Sequence, residues 1–168
     1  MIRFCLIFLT FFLTACSISG DERIDTMLEK MRVEVLYDIP ADKDNTAGHH
    51  IGSKIHMKPR SFYPQKQQYL LVLLHEIAHH IGAMTKRISY LRYKQDDYRL
   101  LEELVANQYA MQMMKILGYK LRFGYYELND SYTATLKTRY GYTDGQIKNY
   151  VNDEVKKSVN ISKRLLKR

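Results

Sequence analysis

Apolar positions recur at helical spacing in two long stretches of the chain. Residues 67–81 surround a continuous apolar run from Tyr69 to Leu74, which predicts a helix with Gly82 just past its end. The second stretch opens on Asp96 and Asp97, acidic residues suited to a helix start, and runs to about Leu117, with Gly118 beyond. On it Leu100, Glu103, Leu104, Asn107, Met111 and Met114 fall on one inward stripe. Period-two alternation occurs in two places. Residues 33–37 read as a strand before Pro40. Residues 51–58 read as a half-exposed strand, with Ile51, Ser53, Ile55 and Met57 on one face and Gly52, Lys54, His56 and Lys58 on the other. Between the two strands, residues 41–48 form a polar loop that lacks the ligand spacing of an EF-hand. Residues 25–32 predict a short helix, and Thr143-Asp144-Gly145-Gln146 is a capping-box pattern opening a last helix that ends among Lys163, Arg164, Lys167 and Arg168. Few strands and several helices predict an α+β domain: a short sheet packed on the first long helix, that helix packed on the second, and helical additions at the C-terminus.

Composition narrows this. A chain of 168 residues, 46% hydrophobic and 26% charged, can bury one core, which argues against wholesale disorder, collagen-like repetition and a polytopic membrane protein. The formal net charge of +8 admits attraction to polyanions, yet no basic stripe interleaved with base-stacking aromatics is present, so no nucleic-acid partner is expected. Both cysteines, Cys5 and Cys16, stand at the extreme N-terminus, leaving no disulfide framework or cysteine-based zinc ribbon in the rest of the chain.

The N-terminus itself reads as an address. Arg3 precedes an apolar run from Phe4 to Ala15, about twelve residues where a bilayer-spanning helix takes ~20. The run ends in Leu13-Thr14-Ala15-Cys16, which resembles the lipobox of bacterial lipoproteins. That resemblance implies a signal peptide over residues 1–15, cleavage before Cys16, acylation of Cys16, and a lipidated tether over residues 16–24 leading to a domain over 25–168. It further implies export and anchoring to the bacterial membrane on the periplasmic side, with Ser17 suiting the outer membrane in a Gram-negative host.

The chemistry is carried by His75-Glu76-Ile77-Ala78-His79, an H-E-x-x-H on the first long helix. Four residues turn a helix through about 400°, so the two imidazoles stand one turn apart, about 40° around the axis, and can meet one ion. Glu76 projects about 100° away, near the metal but off the ligand axis, where a carboxylate can take a proton from water activated by zinc. Chance supplies roughly 0.01 such matches in a chain of this composition, too few to dismiss the motif. A catalytic zinc site needs a third protein ligand. Glu103, a charge on an apolar stripe, is the candidate. A metal cation is one partner that removes the cost of burying it; a base such as Arg99, four residues earlier, is another. Glu102 projects about 100° away, toward solvent. Asn107 can hydrogen-bond a ligand histidine and fix its tautomer. His80 lies too far around the helix to join the same metal, and His49, His50 and His56 read as loop or strand histidines.

The pair of motifs, His75-Glu76-Ile77-Ala78-His79 followed by Glu103-Leu104-Val105-Ala106-Asn107, resembles the gluzincin pattern H-E-x-x-H … E-x-x-A-[D/N], and among gluzincins is most similar to the ImmA/IrrE-like peptidases. The chain departs from them at Met113-Met114-Lys115. The resemblance implies a zincin-like metallopeptidase domain, Zn²⁺ held by His75, His79 and Glu103, Glu76 as general base, and a peptide or protein substrate. It implies no particular oxyanion-stabilising residue, and with fourteen tyrosines the choice stays open. The strand at 51–58 is the expected pairing edge for an extended substrate. The competing expectation is a lipid-anchored envelope binding module on the same fold, without catalysis.

Overall fold

A computed structural model describes residues 19–42, 47–88, 95–121, 124 and 126–167. The expected signal peptide and Cys16 lie outside the described residues. The elements in chain order are α1 (Glu22–Met31), β1 (Glu34–Leu36), β2 (Gly48–Ile51), β3 (Lys54–Met57), a 3-10 turn (Arg60–Phe62), α2 (Lys66–Met84), α3 (Asp96–Ile116), α4 (Tyr126–Tyr140) and α5 (Asp144–Leu166). The architecture is mixed α+β. Among the described residues no helix is long and apolar enough to cross a membrane.

Helix α1 starts at Glu22, three residues earlier than expected, because Asp21 caps it: the Asp21 carboxylate accepts from the Arg23 amide at 3.0 Å. Ile24 is fully buried as part of this helix. Residues 19–24 are therefore packed chain and not a tether.

The sheet has the order β1-β3-β2, with β1 parallel and β2 antiparallel to β3. The single strand expected over residues 51–58 is in fact a hairpin. Ile51 pairs with Lys54, and Gly52-Ser53 makes the two-residue turn between them. Gly52 sits at φ +62°, the left-handed region such a turn demands and glycine enters freely. The turn reverses the chain, and Ile51 is left 62% exposed. With β3 flanked on both sides, β1 and β2 are the sheet edges among the described residues.

The sheet packs on α2 through Ile55 and Met57, and α2 packs on α3. Helix α3 also meets α4 and α5, so apolar contacts surround it: Leu101, Val105, Tyr109 and Met113 are buried as well as Leu104, Met111 and Met114. A helix buried on several sides has no single inward stripe. Helix α5 opens on the expected capping box, with Thr143 Oγ1 accepting from the Gln146 amide and the Gln146 side chain accepting from the Thr143 amide.

Gly82 does not stop α2. The helix continues to Met84, and a Cβ at Gly82 would lie 2.7 Å from both Arg87 Nη2 and Ile88 Cδ1. The missing side chain lets the segment after α2 fold back against the helix, and Ile88 N donates to Gly82 O at 3.0 Å.

Candidate metal centre

Helix α2 presents His75 and His79 on one face, and α3, packed against it, brings Glu103 to meet them. The Nε2 atoms of His75 and His79 are 3.0 Å apart. Glu103 Oε2 lies 3.3 Å from His75 Nε2, and Glu103 Oε1 lies 3.4 Å from His79 Nε2. One ligand atom from each of the three falls within 4.8 Å of the others, so the group can hold a metal ion. The two carboxylate–imidazole separations match one tetrahedral ion, for which metal–ligand bonds of ~2.0–2.2 Å set ligand atoms ~3.3–3.6 Å apart, and the two imidazole nitrogens stand slightly closer. Arg99, the alternative partner for Glu103, pairs with Asp96 instead.

The candidate ligand His75 is oriented from behind. His75 Nδ1 donates to Asn107 Oδ1 at 2.8 Å, which leaves the Nε2 lone pair facing the cluster. Asn107, itself buried, donates from Nδ2 to Asn129 Oδ1 on α4 at 2.9 Å. Two amides on successive helices thus fix one imidazole, the role expected of Asn107, with Asn129 as an anchor that sequence reasoning missed.

Electrostatics follow the donor set. Burial pushes the Glu103 carboxyl up, but hydrogen bonds from His75 and His79 outweigh it and hold Glu103 well below the usual carboxylate range. It is an anion at every ordinary pH. His75 is also buried, which disfavours its cation, yet Glu103 and Glu76 raise it above the ordinary imidazole value. A divalent cation at this point would compensate the same carboxylate and favour neutral, ligating imidazoles.

Glu76 is 5% exposed and lines the same cavity, of about 500 Å³, as the three ligand groups. Burial raises its carboxyl above the usual range, partly offset by His75 and His79. Its side chain rests on β2: a Cβ at Gly48 would stand 3.1 Å from Glu76 Cγ and 3.2 Å from Oε1. One turn on, the same strand meets the same helix again, with His50 Nε2 2.9 Å from His80 Nδ1 and 2.6 Å from Gly52 O. Burial then lowers His50 to about 4, so it is neutral at pH 7. Gly48 and His50 alternate along β2, Glu76 and His80 are a helical turn apart on α2, and the two pairs seat the edge strand along the cavity. His80 is thus a packing partner, and His50 a wall of the cavity. His49, also lining the cavity, stacks on its cross-strand partner His56 at 4.6 Å, and His56 in turn hydrogen-bonds Asp38. The cavity wall is completed by the apolar Ile51, Ala83 and Ile88.

Glu102 departs from expectation. It is fully buried, not solvent-facing, with Arg87 Nε 2.9 Å from its Oε2 and Tyr150 OH donating to its Oε1 at 2.5 Å. The two adjacent carboxylates of α3 serve different partners because the helix is enclosed on both flanks.

A larger cavity, about 1160 Å³, runs between α3 and α5 and is lined by Met111, Val151, Val155 and several lysines. Among the described residues the one group able to hold a metal ion lies in the smaller cavity. Compared with known protein families, with curated proteins and with solved structures, the chain matches none.

Proposed function

We propose that the protein is a zinc-dependent metallopeptidase on a zincin-like fold, lipid-anchored through Cys16 on the outer side of a bacterial membrane. The observation that carries the catalytic reading is the convergence of His75, His79 and Glu103 on one point, with the Glu76 carboxylate in the same cavity. Two imidazoles and a carboxylate form a three-ligand set that zinc takes in catalytic sites, leaving a fourth position for solvent or substrate. A bound zinc ion would supply Lewis acidity, polarising the scissile carbonyl and acidifying a water molecule.

The chain's own residues do the rest. Glu76 accepts one proton from the attacking water as the new C–O bond forms, and delivers it to the amine nitrogen as the C–N bond breaks. Asn107 and Asn129 keep the His75 ring in its ligating tautomer. The edge strand β2, rather than the expected 51–58 segment, flanks the cavity and is the strand an extended peptide would pair with.

The test is Glu76→Gln, with metal content and cleavage of a broad peptide library measured together. Retained zinc with cleavage lost is the expected result. Full turnover in the variant, or no turnover in the wild-type protein loaded with zinc, overturns the peptidase reading; the second outcome favours a binding module.

A further inference from the structure

The point where the chain enters the fold is clamped from several directions. Ser19 is fully buried; its carbonyl accepts from Arg60 Nη2 at 2.9 Å and its amide donates to Asp25 at 2.7 Å. The Gly20 carbonyl accepts from Lys66 Nζ at 2.5 Å, and Asp21 accepts from Tyr119 OH at 2.7 Å. Arg23 ties the same corner to the end of α3 by donating to Leu117 O at 3.0 Å.

This clamp limits how an anchored protein can sit. Cys16 precedes Ser19 by three residues, and an extended chain covers at most ~3.3–3.6 Å per residue, so the anchor reaches only ~10 Å from the corner. That limit holds whether the apolar N-terminus is cleaved and acylated or retained. The face around Ser19 must therefore lie against the bilayer. Its composition suits that position. Arg60 and Lys66 are exposed, and among the described residues neither has a carboxylate partner. Phe62, between them in sequence, is 42% exposed, with Lys58 Nζ 4.0 Å from its ring centroid. At the end of α3, Ile116 is 38% exposed beside the exposed Lys115. Cations held by carbonyls and not neutralised by a carboxylate, together with an exposed aromatic, match the headgroup and upper acyl region of an anionic membrane.

We propose that the face built from Arg60, Phe62 and Lys66 around the clamped Ser19 is a docking surface for anionic lipid, which fixes the orientation of the whole domain on the membrane. The inference rests on the anchoring part of the proposed function and is independent of its catalytic part.

The chain contains no tryptophan, so a single one reports without background. Phe62→Trp is compared with Arg139→Trp, on the exposed last turn of α4. Nearby, Tyr142 bonds Asp97 at the opposite end of α3 from Leu117, about 30 Å away. The full-length chain, purified with its anchor, is reconstituted into vesicles of brominated phosphatidylglycerol and phosphatidylethanolamine, or of brominated phosphatidylcholine alone. Expected is blue-shifted, strongly quenched emission for Phe62→Trp in the anionic vesicles, weakened by high salt, and none for Arg139→Trp. Flotation with the vesicles but no quenching at position 62, or equal quenching at both positions, overturns the docking surface while leaving the anchor intact. Failure to float, with Cys16 unmodified by mass spectrometry, overturns anchor and surface together and leaves the hydrolase reading to the Glu76→Gln test.

Discussion

Replacing Arg87 with Met tests whether the buried ion network beside the metal helix holds α2, α3 and α5 together. Arg87 is 8% exposed and Glu102 fully buried, and their contact is 2.9 Å. The same guanidinium donates to Ser158 Oγ on α5 at 2.9 Å and to Ala78 O on α2 at 3.3 Å, and lies 3.6 Å from Glu154. Met fills similar space without donors. Glu102 would then keep only the hydroxyl of Tyr150, and breaking a buried pair by removing one partner costs about 3–5 kcal/mol. Against a total stability of ~5–15 kcal/mol that is a large fraction. At ~2–4 °C per kcal/mol for a chain near this size, the melting temperature falls by about 6–20 °C.

The assay is urea denaturation at pH 7 followed by far-UV circular dichroism, with zinc saturating so that metal loss does not enter. The decisive comparison is the double variant Arg87→Met with Glu102→Leu. Removing the stranded charge recovers at least ~2 kcal/mol if desolvation of Glu102 is the cause, because residues in one network couple by ~0.5–3 kcal/mol. A loss below ~1 kcal/mol for Arg87→Met, or no recovery in the double variant, refutes the assignment of this pair as a buried lock.

Other outcomes are equally open to measurement. Glu103→Ala lowers zinc content sharply in elemental analysis, whereas Glu102→Ala acts on stability; the reverse result places the ligand on the wrong carboxylate. Gly48→Ala inserts a methyl 2.9 Å from Met57 Sδ and 3.1 Å from Glu76 Cγ, so the base shifts: kcat drops about ten-fold or more with zinc content and fold unchanged. Asp21 has a carboxyl that burial pushes up but that hydrogen bonds from Arg23 and Tyr119 hold down at about 2. Its folded value lies below its unfolded one, so its charge stabilises the fold above pH ~4, and this is lost as pH falls toward ~2. The stability gap between wild type and Asp21→Asn is therefore full at pH 6 and narrows steadily on acidification below about pH 4; a gap independent of pH contradicts the role of its charge.

How much was legible in the chain depends on whether a residue's role is set within its own element. His75, His79 and Glu76 are separated by helical phase alone, and the Thr143–Gln146 cap closes over four residues, so both could be read before any packing was known. Glu103 needed one further step, the cost of a charge among apolar neighbours on its helix, to be singled out as the partner of the two imidazoles. Gly52-Ser53 is itself a hairpin signal, but period-two alternation runs through it unbroken, and only the partner of Ile51 reveals the reversal. Gly82 is ambiguous for a different reason. A glycine near the end of an apolar run serves either to end a helix or to admit a neighbour, and the neighbours, Arg87 and Ile88, come from the segment beyond. Helix α4 offered little periodicity, since it buries only Leu136 fully.

Glu102 shows where single-element reasoning stops. The ~100° that separates it from Glu103 was read correctly, but the conclusion that it faces water assumed a helix with one buried side. Helix α3 has α2 against one flank and α5 against another, so turning away from the imidazoles carries Glu102 to Arg87 and Tyr150 rather than to solvent. The same enclosure ties the helix turn that carries Glu103 to its neighbours. The backbone that positions Glu103 is gripped one residue earlier by a charge pair reaching α2 and α5, so the ligand and the lock share one turn of helix. Arg87→Met should for that reason raise the zinc dissociation constant as well as lower stability, whereas Asn129→Ala, which loosens only the amide behind His75, should weaken zinc binding with little change in the denaturation midpoint.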